Sequence, residues 1–244
     1  MDGHNFPNIP LMKLSAYHKQ NGDTVEWHMP IDSYDIIYMS KVFTFTPEPD
    51  YPINADTVIY GGTGYGVKNK LTYEVEHMCP DYSLYPQYSE AYGFLTRGCP
   101  RGCEFCVVSA KEGRKSVQAA GVNEFHRGQK VIKLLDPNLT ACADREKLLI
   151  QLADTKAYVD FTQGLDIRLI DDDFVKLLNN VKMKKIYFAW DNPKDDLTDQ
   201  FTKYNTLGRI KDKSKKRVFV LTNFESTHDE DLYRINTLKK LEYA

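Results

Sequence analysis

The sequence predicts an α/β protein in two parts, and three observations carry that reading. Beyond about residue 89, short apolar runs alternate with helical stretches, as in parallel strands joined by right-handed crossovers. Before that point lies a smaller set of one helix and several strands, with glycine turns at strand ends, suited to a small open α/β sheet. At the start of the second part, directly after its first strand, Cys99, Cys103 and Cys106 fall within eight residues. The expected division is residues 1–88 as an α/β domain with a linker and residues 89–244 as the larger unit.

In the first part Met1 to Asn8 reads as a loop. Ile9, Leu11, Met12, Leu14, Ala16 and Tyr17 then follow a helical rhythm that stops at Asn21-Gly22. Thr24 to His28 alternates like a short strand, and Asp35 to Met39 is an apolar run of the buried parallel kind. Val58-Ile59-Tyr60 leads straight into the turn Gly61 to Gly66. Cys79 to Ser89 has two prolines and three tyrosines without a period, and reads as an ordered linker.

In the second part the predicted strands are Tyr92–Thr96, Val131–Leu135, Tyr158–Gln163, Lys185–Ala189 and Val218–Thr222. Helices are expected over Asp144–Asp154, Asp171–Val181, Asp195–Tyr204 and His228–Leu241. The last opens on a capping box, Thr227 to Glu230, and spaces Leu232, Ile235, Leu238 and Leu241 as its buried face. Ligand sites of such folds lie at the carboxyl ends of the strands. That rule selects the cysteine loop, Asp136-Pro137-Asn138, Gln163 to Arg168, Trp190-Asp191-Asn192 and Asn223-Phe224-Glu225. A helix cap or a turn is the simpler role for Asp191-Asn192.

The loop reads Thr96-Arg97-Gly98-Cys99-Pro100-Arg101-Gly102-Cys103-Glu104-Phe105-Cys106. Pro100 and Gly102 keep it from closing into a helix. Three thiolates at Cys-x3-Cys-x2-Cys spacing suit a soft-metal site, above all an iron–sulfur cluster with one iron left open. Zinc, with a fourth ligand from His77, His126 or Cys142, is the rival, although no second cysteine pair is present. Buried thiols without metal are the third reading.

The spacing, with the aromatic Phe105 just before the last cysteine, resembles the radical S-adenosylmethionine (radical SAM) superfamily. The resemblance implies a partial (β/α)6 barrel and a [4Fe–4S] cluster on Cys99, Cys103 and Cys106. It further implies S-adenosyl-L-methionine (SAM) on the open iron and reductive cleavage of SAM to a radical that abstracts a substrate hydrogen. Phe105 would sit by the adenine. Asp136 and Asn138 are placed for the amino end of SAM, although the Gly-Gly-Glu-like turn common at this strand is absent. Gln163, Asp166 and Arg168 are placed for its ribose and carboxylate, Arg168 by a bidentate contact. Arg97 and Arg101 flank the thiolates. An electron donor of flavodoxin or ferredoxin type is implied as partner. That barrel has six strands against five here, so a further strand is expected directly after Leu241-Glu242-Tyr243-Ala244.

The first part resembles the cobalamin-binding-type domain found ahead of radical SAM domains, on Asp2-Gly3-His4-Asn5-Phe6-Pro7 and the Gly61-Gly62 turn. Pro7 stands where the last glycine of that motif belongs, and the domain's usual first strand would precede Met1. Together with the absent sixth strand, this leads us to expect a form trimmed at both ends. The departures favour an α/β domain that binds no cobalamin, with His4 an ordinary loop histidine and Gly61 to Gly66 a plain turn.

A net charge of −2 and a pI near 6.3 impose no global field toward nucleic acid or anionic membrane. Only Lys211 to Arg217 is strongly basic, and a solvated loop accounts for it more simply than an RNA-modifying function. The same cysteine loop would also serve a cobalamin-dependent methyltransferase, or a zinc or iron–sulfur module without enzymatic activity. No apolar run approaches the roughly 18 residues of a membrane span. Five cysteines, three of them clustered, make no disulfide framework, and a reducing cytoplasm is the expected setting.

Overall fold

The computed structural model describes residues 6–244, in two compact units that divide between Ser89 and Glu90. In the first unit, helix α1 (Ile9–Gln20) begins where the Asn8 side chain accepts the Leu11 N–H, and it runs out at Asn21. Strands β1 (Tyr34–Ser40) and β2 (Ala55–Gly61) pair in parallel, Tyr34 opposite Ala55. A short helix, α2 (Tyr73–Glu76), follows. The linker is ordered on α1: Asp81 accepts from Ser15 Oγ (2.6 Å) and Lys19 Nζ (2.7 Å) and donates its N–H to Met12 O (3.0 Å).

Thr24–His28, expected as a strand, joins no ladder among the described residues. A strand needs a hydrogen-bonded neighbour about 4.8 Å away. This segment instead lines, with β1 and with Leu11, Leu14 and His18 of α1, a cavity of about 710 Å3.

The second unit runs β3 (Ala91–Gly93), β4 (Thr96–Arg97), α3 (Val108–Glu112), β5 (Val117–Gln118), β6 (Val131–Leu134), α4 (Arg145–Asp154), β7 (Tyr158–Leu165), α5 (Asp172–Leu178), β8 (Met183–Ala189), α6 (Thr198–Leu207), β9 (Lys216–Phe219) and α7 (His228–Lys240). Five of these strands form one parallel sheet in the order β3-β6-β7-β8-β9. Chain order and sheet order agree without a reversal, so right-handed crossovers put the helices on one face. Indeed α4 touches α5, α5 touches α6 and α6 touches α7.

The strands show the same one-sidedness. Ile132, Leu134, Val159, Phe161, Ile186 and Phe188 are buried in the core. The alternate positions carry Tyr92, Lys133, Asp160, Tyr187 and Arg217 on the other face. There Lys133 donates to the Tyr92 hydroxyl (3.0 Å), and Tyr187 stacks on Phe219 at 5.4 Å. A parallel sheet covered by helices on both faces would be apolar on both; this one is not.

Three expected elements differ in detail. The strand Tyr92–Thr96 is broken, because the buried Asp136 carboxylate draws in the N–H groups of Leu95 (3.2 Å) and Thr96 (2.5 Å) and the Thr96 hydroxyl (2.6 Å). Thr96 and Arg97 then pair antiparallel with β5 instead. The last strand begins at Lys216 rather than Val218. Lys216 is buried at its head because its ammonium donates to Asn205 Oδ1 (2.6 Å) and lies 4.6 Å from the Tyr243 ring centroid. Beyond α7 the chain returns to β9, where Val218 N–H donates to Ala244 O (2.9 Å) and Ala244 N–H to Lys216 O (3.0 Å).

The buried face of α7 is Asp231, Arg234 and Leu238, whereas Leu232 is 40% exposed. Of the expected leucine face, Leu238 is buried and Ile235 and Leu241 half-buried, but Leu232 is not, because a buried guanidinium turns the helix toward Asp231 and Arg234. Arg234 donates to the carbonyls of Trp190, Asp191 and Leu221 and pairs with Asp231 at 2.5 Å. The capping box of Thr227 and Glu230 forms as the sequence predicts. No helix among the described residues is long and apolar enough to cross a membrane.

Candidate functional site

The cysteine loop leaves the sheet at Arg97 and returns to it at Val117, the two held opposite each other in the β4–β5 pair. Its first turn depends on Gly98, at φ 84°, whose missing side chain leaves room for the Lys115 carbonyl. Glu112 closes the loop from α3, accepting the Gly98 N–H (3.0 Å) and a contact from Arg97 Nη1 (2.9 Å). Arg97 also lies over the Phe94 ring at 3.4 Å, so it is turned to Glu112 and Phe94 rather than to the thiols. The Cys99 N–H donates to Gly113 O and the Cys106 N–H to Cys103 O. The three cysteines of the loop are half-buried thiols outside any disulfide.

By type and spacing, three soft thiols on one short loop are the donor set that a cluster with an open iron would take. His126 turns Nε2 to the Gln129 carbonyl (2.9 Å), and burial pushes the Cys142 thiol pKa up. Among the described residues no set of three His, Cys, Asp or Glu side chains is already drawn together around a metal position. A metal held by this loop would have to draw the three sulfurs together.

The other predicted residues take distinct places. Asp136 is 5% exposed and commits its carboxylate to Leu95 and Thr96, which leaves it a structural anchor rather than a partner for an ammonium group. Burial raises its pKa to about 6, against the pull of the Thr96 hydroxyl, the two backbone N–H groups and Arg97. Asn138, 3% exposed, turns its amide nitrogen to Cys99 Sγ at 3.5 Å. Gln163 is exposed, in the stretch of β7 where the register with β8 shifts.

Asp166 caps the turn Ile167–Leu169 and accepts from Arg168 Nε (2.6 Å). Arg168 also donates from Nη1 to Asp195 (2.9 Å), so its guanidinium bridges two carboxylates and is not free for the bidentate grip expected of it. Phe105 is 47% exposed and meets Phe224.

Sequence reasoning missed one contributor, Asp195, and left Phe224 and Asp191, both picked out at strand ends, without a specific role. Asp195, read as the start of a helix, joins Arg168 to Arg101 of the cysteine loop, the latter at 3.9 Å. Phe224 reaches Phe105 from the turn after β9. Asp191 does stand in a turn, with Asn192 accepting the Lys194 N–H (2.9 Å), but its own carboxyl is pushed up in pKa by burial despite Arg168, Arg234 and Arg101 nearby. Only the aspartates and asparagine clustered around Pro193 hinted at this.

In the first unit, Gly62 at φ 82° packs its Cα against the Lys41 carbonyl, and the Gly64 N–H donates to Lys41 O (2.9 Å). The glycine turn is thus folded onto its own chain. His4 and its neighbours Asp2 to Asn5 lie outside the described residues. No protein-family model matches this chain, and no curated protein does.

Proposed function

We propose that this chain is an enzyme of the radical SAM type, holding a [4Fe–4S] cluster on Cys99, Cys103 and Cys106 at the carboxyl end of a partial (β/α) barrel. The single observation that carries the reading is three free thiols, without a fourth, on the loop that follows the first strand of a singly wound parallel sheet. Such a cluster, when bound with SAM, supplies one-electron cleavage of the sulfonium and a radical able to take a substrate hydrogen.

The barrel form is supported by the one-sided helices and by two contacts across the sheet. The outer strands β3 and β9 of a flat five-stranded sheet would stand about 19 Å apart. Yet Phe105, on the loop that follows β3 and β4, touches Phe224 after β9, and Arg101 reaches Asp195 after β8. A curled sheet brings these ends together.

The residues of the chain divide the work. Glu112 and Gly98 shape the loop that presents the sulfurs. The Arg101–Asp195–Arg168–Asp166 series ties that loop to the ends of β7 and β8. Phe105 offers a half-exposed ring for the adenine. Burial raises the pKa of the Asp191 carboxyl beside the site, against the pull of Arg168, Arg234 and Arg101. The electron donor is a small flavodoxin- or ferredoxin-type protein.

The test is anaerobic reconstitution with iron and sulfide, followed by SAM and dithionite. The protein is expected to release 5′-deoxyadenosine and Cys106→Ala none. Near-stoichiometric zinc without labile sulfide, after anaerobic purification, would end this reading.

A further inference from the structure

We propose that Asn138 is a positioning residue whose amide N–H binds the Cys99 sulfur and raises the reduction potential of the cluster. The inference rests on the cluster reading above and deepens it. Its basis is the way the carboxamide is locked. Oδ1 accepts two hydrogens, from the Thr140 hydroxyl (2.8 Å) and the Ala141 N–H (3.2 Å). Both partners are placed as donors, so the amide cannot be turned over without setting N–H against N–H. Nδ2 is thereby left facing Cys99 Sγ at 3.5 Å.

The lock has further support. The Asn138 carbonyl accepts the Ser116 hydroxyl (2.8 Å), and the Thr140 oxygen accepts the Asp166 N–H (3.0 Å). Asn138, Thr140 and Ser116 are each at most 5% exposed. Oδ1 has a structural use, capping the short turn Leu139–Ala141. That use accounts for the oxygen and leaves the nitrogen unexplained. Among the described residues neither Cys103 nor Cys106 receives a side-chain hydrogen bond at sulfur, so Cys99 is singled out.

A donor aimed at a thiolate draws electron density from it. The reduced cluster carries one more negative charge and gains most, so the potential rises. The same bond holds Cys99 in one rotamer while the loop gathers the other two sulfurs.

Two variants separate donor from fold. Asn138→Asp keeps the capping oxygen and removes the donor. Asn138→Ser keeps a capping side chain too short to reach sulfur. Iron and sulfide per chain are measured first, and then the midpoint potential by dye titration followed by electron paramagnetic resonance. Both variants should load as the parent does. Each should shift the reduction equilibrium about tenfold toward the oxidised form, which is 59 mV more negative for one electron, with the aspartate shifted further.

Equal potentials in all three proteins would overturn the proposal, as would a shift in Asn138→Asp alone, which would be a charge effect. Variants that fail to load beside a loaded parent would also overturn it, making Asn138 an assembly residue. A parent that takes up no cluster would instead bring down the functional reading, and this inference with it.

Discussion

Phe105 meets Phe224 edge-on, ring centroids 5.4 Å apart and planes 77° apart. Phe224 is presented by two residues in left-handed conformation, Asn223 at φ 58° and Glu225 at φ 49°, and the Asn223 N–H is held by Asp231 at 3.0 Å. A turn costly in backbone energy therefore reaches across to the cysteine loop. An edge-on pair contributes about 0.5–1.5 kcal/mol beyond area burial, and Phe105 is half exposed, so the lower end applies. A double-mutant cycle of Phe105→Ala and Phe224→Ala on unfolding free energy should give a coupling of about 0.5–1 kcal/mol. Additive losses would mean the rings do not work as a pair. Under the proposed function, in which Phe105 lies by the adenine of SAM, Phe224→Ala should weaken SAM binding by the reconstituted protein about threefold.

Asp136 makes stability depend on pH in an unusual direction. Its folded pKa of about 6 lies above the ordinary 3.8, so between those values the folded chain binds more protons than the unfolded one. Stability from this group is full below pH 3.8 and is lost as pH rises through 6. Asp136→Asn lacks the titration. Going from pH 7 to pH 4, the parent should gain on the variant in unfolding free energy by up to about 3 kcal/mol. A difference that stays flat over this range would show that the carboxylate is not penalised by burial.

Arg234 holds the ends of β8 and β9 to α7 through three carbonyls and one carboxylate. Arg234→Leu should cost about 3–5 kcal/mol, because Asp231 and the carbonyls lose their partner in a dry site. Arg234→Lys should recover little, since an ammonium cannot reproduce the planar fork. Leu232→Ala, at an exposed position on the same helix, should cost under about 1 kcal/mol. Chemical denaturation of the three variants checks the ranking, and equal losses at Arg234 and Leu232 would put Leu232 back on the buried face.

The alternation of strands and helices, the capping box at Thr227 and the cysteine loop are all legible in the sequence. Each depends on residues a few positions apart, and period, turn chemistry and spacing are local properties. What lies far along the chain is not legible. The break after Gly93 depends on Asp136, the buried face of α7 on carbonyls of β8, and the bridging of Arg168 on Asp195. Asn138 and Cys99 are 39 residues apart, yet their side chains meet. Thr24–His28 alternates as a strand should but faces a cavity, because a strand forms only where a neighbour completes its hydrogen bonds. The residue types of the site were thus determined by the sequence alone. Which of them face the sulfurs, and which serve only to hold the strands, was decided by packing across the sheet.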